Sequence, residues 1–283
     1  MPSSPSSSAQ AARKAVAERL RELMLDAGLQ GRELAALCGW HPSKTSRIIN
    51  ATTAPADGDI RAWCRACGAD EQADDLIAKS RAADSMYTEW RRMERTGLRA
   101  AQEAVRPIYE RTQRFRVYSS WLLPGLLQTR AYTTAILSAI RDRRGLVGDV
   151  DSAVDERMAR QHVLVEGNHR FAFLIEESVL RNGLGGPDVM REQLEHLLTT
   201  DRRPNISIGI VPMQPVREKA WPVEGFWIYD MAQVSVELVS GYLTITQPSE
   251  IAMYGRAFTE LGGIAVHGAK ARQLIKDAVG ALG

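Results

Sequence analysis

The sequence predicts an α+β chain in two parts. An all-α unit of about five helices comes first, and helices link it to a mixed α+β domain with a roughly five-stranded sheet. Three observations carry this. Residues 29–50, LQGRELAALCGWHPSKTSRIIN, hold two short helical periods around Gly39. Residues 84–116 keep a helical pattern rich in Arg and Glu. Beyond them, short β-branched runs alternate with amphipathic helical stretches.

The elements follow in order. Residues 1–11 are Ser- and Pro-rich and are expected to form a disordered tail. A first unit spans 12–83. Its first helix, over 12–27, places Val16, Leu20, Leu23 and Met24 on one face, and Gly28 stops it. In the next two helices Leu34, Leu37, Thr45, Ile48 and Ile49 follow helical spacing, with Ala35 small where the helices meet. Gly39 suits the left-handed end of the first, and Pro42 the first turn of the second. Asp57 or Asp59 is expected to cap a helix over 59–67 that turns Ile60, Trp63, Cys64 and Cys67 inward. A further helix near 71–83 closes the unit.

Residues 84–116 read as a helical connector, with Trp90, Leu98 and Val105 on one stripe. The rest, 117–283, is an α+β domain. WLLPGLLQTRAYTTAIL predicts a short helical pair broken at Pro124-Gly125, and 151–166 a helix with Val154, Met158 and Val165 at turn spacing. FAFLIEE (171–177), NISIGIVPM (205–213), GFWIYDM (225–231), VSVELV (234–239) and YLTIT (242–246) predict strands, the last three a meander. Pro187 opens a helix, and a final helical stretch covers 249–280.

The two helices around Gly39 have the pattern of a helix-turn-helix reader of double-stranded DNA. The helix opened by Pro42 would enter the major groove. Ser43, Arg47 and, at the edge, His41 would face the bases, and Arg47 is the best reader because its fork can bond guanine O6 and N7 together. Lys44, Ser46, Gln30, Arg32 and Asn50 would hold phosphates. One such helix reads few base pairs, so a homodimer is expected, with the second domain or the Arg-rich connector as its surface.

Charge agrees in part. The net charge of the 283 residues is only +2. Residues 1–56 hold seven Lys and Arg against four acids, and residues 91–116 eight Arg against three Glu. There is no apolar run long enough for a membrane span and no apolar leader segment near the start, so a cytoplasmic protein is expected. Three cysteines make no disulfide framework.

Other chemistry is weaker. Cys64-x-x-Cys67, Cys38 and His41 could suggest a metal, but small apolar cysteines fit better, and neither metal nor cofactor is expected. His41, His162, His169, His196 and His267 accompany no nucleophile. Glu176 and Glu177 resemble catalytic carboxylates, yet a cap or an ion pair with Arg181, Arg157 or Arg160 is the commoner use, so no enzyme is expected. GLGGP (183–187) lacks a nucleotide-loop signature and reads as a turn. Trp121, Tyr132, Trp221, Trp227 and Tyr229 could line a ligand pocket or simply fill the core.

Eight blocks in one order carry a resemblance. They are GW-x-x-SK-x-SRI (39–48), AWCRACGA (62–69), EWRR (89–92), LLPGLLQT-x-x-Y (122–132), RMARQ-x-VL (157–164), EE-x-x-LR (176–181), GG-x-x-VMREQL-x-HLL (185–198) and the strand ending in VP (211–212). The chain resembles the actinobacterial XRE-type regulators that join a helix-turn-helix to a C-terminal domain of uncertain biochemical role. The resemblance implies transcription regulation and a small protein partner encoded nearby, in an arrangement compared with toxin–antitoxin pairs. An antitoxin-like module with weak DNA affinity is the alternative. Relatives carry Gln where this chain has Gly31, Ser where it has His41, and Glu-Asn-Gly where it has Ile49-Asn50-Ala51.

Overall fold

The structure, a computed structural model, describes residues 6–89, 97–146, 148–213, 217, 220–239 and 241–283, with backbone only over 6–11 and 82–89. The chain divides into two compact units, Met1–Thr88 and Glu89–Gly283.

The first unit is built of helices α1 (Ser6–Asp26), α2 (Gly31–Leu37), α3 (Pro42–Ile49), α4 (Asp57–Ala66) and α5 (Ala73–Met86), with the start of a short strand, Tyr87–Glu89, at its end. α1 begins inside the stretch expected to be a tail. Val16, Leu20, Leu23 and Met24 meet Leu34, Ile48, Ile60, Trp63, Leu76 and Ile77 in one core. Trp63 is fully buried, and its indole N–H donates to the Leu20 carbonyl at 2.9 Å. Two expectations are corrected. Leu37 lies on the outer side of α2 and is 63% exposed. Ala56, not Asp57 or Asp59, is the N-cap of α4; Asp59 reaches back from the first turn to accept the Ala56 N–H at 3.2 Å.

The second unit opens with α6 (Leu98–Glu103) and α7 (Arg106–Arg111), followed by β1 (Arg114–Ser119), α8 (Arg130–Arg144), α9 (Val150–Ala159) and β2 (Arg170–Glu176). Then come α10 (Pro187–Thr200), β3 (Ile206–Val211), β4 (Phe226–Tyr229), β5 (Gln233–Glu237), β6 (Gly241–Ile245), α11 (Pro248–Ile264), β7 (Val266–His267) and α12 (Gly268–Gly280). These seven strands lie in the order β6-β5-β4-β1-β2-β3-β7. β1, β2 and β3 are parallel, with Phe115 beside Phe171 and Phe171 beside Ile206. β4 runs antiparallel to β1, with Phe115 beside Tyr229, and β5 and β6 continue as a meander.

Period two sorts the side chains. Phe115, Val117, Phe171, Phe173, Ile208 and Ile210 face a core completed by Tyr132 and Ile136 of α8, Met190 and Leu194 of α10, and Ile275 of α12. α11 covers the other face, where Tyr254 meets Phe226 edge-on at 5.0 Å. The inner strands are therefore covered on both faces, which explains why FAFLIE is nearly continuous in apolar residues.

Several expected elements change. The connector is not one helix. A short strand at Tyr87–Glu89, two short helices and the start of β1 occupy its described part; Trp90 lies outside the described residues. Trp121-Leu122-Leu123 is not helical, since only a 3-10 turn, Gly125–Leu127, precedes α8. The helix expected over 151–166 ends at Ala159 and continues as a 3-10 turn, Arg160–Leu164, which leaves Val165 65% exposed. The final helical stretch is split by β7, which pairs Val266 with Ile210. β1 and β7 raise the sheet from five strands to seven.

Candidate nucleic-acid interface

The turn between α2 and α3 forms for local reasons. Gly39 has φ +67°, a conformation that costs a glycine little. The Trp40 N–H returns to the Ala35 carbonyl at 2.7 Å. Leu34, Ala35, Thr45 and Ile48 are buried, which fixes which side of each helix faces out. At the start of α2, the Glu33 carboxylate accepts the Gln30 N–H at 2.7 Å.

His41 proves to be the N-cap of α3. Its Nδ1 accepts the Ser43 N–H at 3.3 Å and lies 2.8 Å from the Ser43 hydroxyl. An imidazole thus takes the capping role expected of serine. At the other end the Thr52 N–H bonds the Arg47 carbonyl at 2.9 Å, and the Ala51 N–H bonds the Ile48 carbonyl at 3.0 Å. That is a Schellman end, and its left-handed residue is Ala51, φ +53°. A non-glycine residue there costs about 1–2 kcal/mol.

Gln30, Arg32, His41, Ser43, Ser46, Arg47 and Asn50 are all exposed. Arg32 and Arg47 form no side-chain hydrogen bond or ion pair with a described residue, so their guanidinium groups are open to an anion. Lys44 is not. Its Nζ lies 2.6 Å from Asp59 Oδ1 and 4.4 Å from the centre of the Trp40 ring. Asn50 turns back on its own helix, donating to the Ser46 carbonyl at 2.9 Å. The expected contacts therefore divide: Arg47, the base reader, and Arg32, a phosphate contact, have open guanidinium groups, whereas the expected phosphate contacts Lys44 and Asn50 have internal partners. Spacing along one helix could not reveal the Lys44 pair, because Asp59 comes from α4.

Gly31 is the first residue of α2, and a Cβ there would meet only Thr45 Cγ2, at 3.7 Å. A side chain fits. Gly31→Gln is expected to tighten DNA binding by about 0.5–1.5 kcal/mol, the worth of one added hydrogen bond. Anisotropy titrations of the two proteins against one duplex would check it, and unchanged affinity would place this position away from the backbone.

The other candidates separate clearly. Cys38 donates to the Ala62 carbonyl at 3.5 Å, and Cys64 is buried. Burial raises all three thiol pKa values, that of Cys67 to about 11. Among the described residues no three His, Cys, Asp or Glu side chains are grouped to hold a metal. Glu176 forms a two-point ion pair with Arg217, at 2.9 and 2.6 Å, and accepts the Tyr118 hydroxyl at 2.7 Å. Glu177 pairs with Arg181 at 3.0 Å and accepts the Met213 N–H. Arg157 and Arg160 bond neither carboxylate. GLGGP is a turn in which Gly185 and Gly186 have positive φ. The grouped aromatics scatter: Tyr132 is core, Trp121 and Trp221 are half or more exposed, and Trp227 and Tyr229 border a cleft.

Comparison with known proteins agrees with the two units. The family model described as a helix-turn-helix domain matches residues 15–76. The model described as "Domain of unknown function (DUF5753)" matches residues 108–277. No curated protein matches the chain significantly. A solved structure titled as that of TrmBL2, an archaeal chromatin protein with a novel mode of DNA binding, is similar at 10% identity. The match covers 89% of this chain and 100% of that one, with a TM-score of 0.32. At that score the likeness says nothing about this chain's fold or function.

Proposed function

The chain belongs to the DUF5753 family, and from its helix-turn-helix unit we propose that it is a sequence-specific, DNA-binding transcription regulator of the XRE type, acting as a homodimer in the cytoplasm. The observation that carries this is the outer face of α3. Thr45 and Ile48 anchor one side of the helix, while Ser43, Ser46 and Arg47, which has no side-chain partner among the described residues, stand exposed on the other, and Gln30 and Arg32 at the start of α2 are exposed too. Arg47 reads base edges, and Arg32, Gln30 and Ser46 hold phosphates. Two copies reading half-sites one helical turn apart supply the specificity one helix lacks. No helix among the described residues is long and apolar enough to cross a membrane.

Arg47→Ala is expected to cost about 1–3 kcal/mol on the operator. The check is fluorescence anisotropy on the upstream promoter of its own gene and on scrambled DNA at two salt concentrations. Loss confined to the promoter supports base reading. Equal loss on both would make Arg47 a phosphate contact.

A second reading has its own support. Lys44 and Asn50 bond within the unit, and Gly31 offers no side chain. These features favour an antitoxin-like module that binds a small protein encoded nearby and whose own DNA affinity is weak or lost. Adding that protein to the same titration separates the two readings, since a partner that sharpens promoter preference favours the regulator. In both, the second unit binds rather than catalyses, in keeping with the ion pairs that hold Glu176 and Glu177.

A further inference from the structure

We propose that the second unit carries a binding site for a small planar anion, a carboxylate attached to an unsaturated ring, between Arg157 and Arg160 and a wall of aromatic side chains. The proposal goes beyond the DNA reading and does not depend on it.

The site is a cleft of about 90 Å³. At about 10–15 Å³ for each enclosed water, that is room for roughly six to nine water-sized positions, the size of a ring with one carboxylate. Tyr109, Trp227, Tyr229 and Tyr242 form one wall. Trp227 and Tyr229 stack nearly parallel at 6.2 Å, and Tyr109 packs tilted against both, at 5.5 and 5.9 Å, so these three rings are contiguous. Leu98, Val105, Leu137 and Ile140 give an apolar side. Flat, apolar surface of this kind selects a flat, apolar body.

The charged side calls for an anion. Arg144, Arg157 and Arg160 line the cleft against a single acid, the exposed Glu237. Among the described residues, Arg157 donates only to neutral oxygens, Gln102 Oε1 at 3.0 Å and Gln128 Oε1 at 3.2 Å. Arg160 is 5% exposed and, among the described residues, likewise donates only to Gln102, through the backbone carbonyl at 3.0 Å and Oε1 at 3.3 Å. Its guanidinium lies 4.8 Å from the centre of the Tyr109 ring, and its Nε–H is buried with no partner. Burial and the neighbouring charge of Arg160 lower the Arg157 pKa to about 10. Two guanidinium groups held close in low dielectric, with no carboxylate bonded to either among the described residues and only the exposed Glu237 acting on Arg157, are costly, and a bound carboxylate relieves that cost. Their planar forks match its two oxygens.

The test uses the full-length chain, titrated calorimetrically with sodium benzoate, neutral benzamide and inorganic phosphate. Benzoate is expected to bind one site per chain, with benzamide and phosphate at least tenfold weaker. Arg157→Gln should weaken benzoate at least tenfold. Trp227→Leu, at the partly exposed edge of the cleft, should weaken it several-fold, with the far-ultraviolet spectrum of each variant unchanged. No benzoate binding at millimolar concentration would overturn the proposal. So would benzamide binding as tightly, or both folded variants binding as the parent does. Phosphate equal to benzoate would overturn the ring requirement.

Discussion

Arg217→Met is expected to destabilise the protein by about 3–5 kcal/mol. Arg217 bonds Glu176 through both terminal nitrogens, and the side chains are only 15% and 4% exposed. Tyr118, itself buried, gives that carboxylate its third bond. Removing the arginine leaves Glu176 charged in a place water does not reach, and the full desolvation cost then falls on the folded state. Joining Glu176→Gln to Arg217→Met should recover much of the loss, because no charge is then stranded. Urea unfolding of the parent, the single variants and the double variant measures this directly. A single variant within 1 kcal/mol of the parent, on the order of a surface pair, would mean that the pair is not closed in solution.

The second large effect is expected in the first unit. Trp63→Ala should remove about 3–5 kcal/mol, which is most of the stability of so small a unit. Trp63 is fully buried in the core that α1, α3 and α4 share, and it ties α4 to the Leu20 carbonyl. A cavity there loosens the core in which Ile48 anchors α3. DNA binding should therefore fall with stability, although Trp63 lies in the core and not on the reading face. Trp63→Phe keeps a ring in the site and should lose much less. Thermal melts by circular dichroism, paired with anisotropy, would reveal any variant that loses stability but keeps its affinity, which would contradict this dependence.

The helix-turn-helix unit was legible because its signals are local. Gly39, Pro42 and the apolar spacing each act within one turn. His41 as a cap could also have been read, since any acceptor before Pro42 can serve. The Lys44–Asp59 pair could not, because it joins residues fifteen apart on different helices. In the second unit β1 was the main loss. Arg114 and Arg116 alternate with Phe115 and Val117, a period of two that the surrounding Arg and Glu helix pattern concealed. β7 is two residues long and gives no period at all.

The blocks that carry the family resemblance acquire a physical sense in the fold. Gln128 accepts from Arg157, and Gln161 donates to the Gln128 carbonyl at 2.7 Å. Gln193 donates to the Leu127 carbonyl and accepts the Thr129 N–H, each at 2.7 Å. Three blocks separated in sequence thus fasten one irregular segment with buried polar bonds. Such bonds must be complete where they are buried, so the residue types are tightly constrained.

The position of β1 has a consequence for synthesis on the ribosome. Its antiparallel neighbour, β4, lies more than a hundred residues further along the chain. At about 5–20 residues per second, that edge stays open for roughly 5–20 s while translation proceeds. An apolar strand left unpaired for so long invites pairing with another nascent chain. Arg114 and Arg116, which reach the surface between Phe115 and Val117, place positive charge along that edge. The arginines that hid the strand from sequence analysis are suited to keep nascent chains apart, as gatekeepers do.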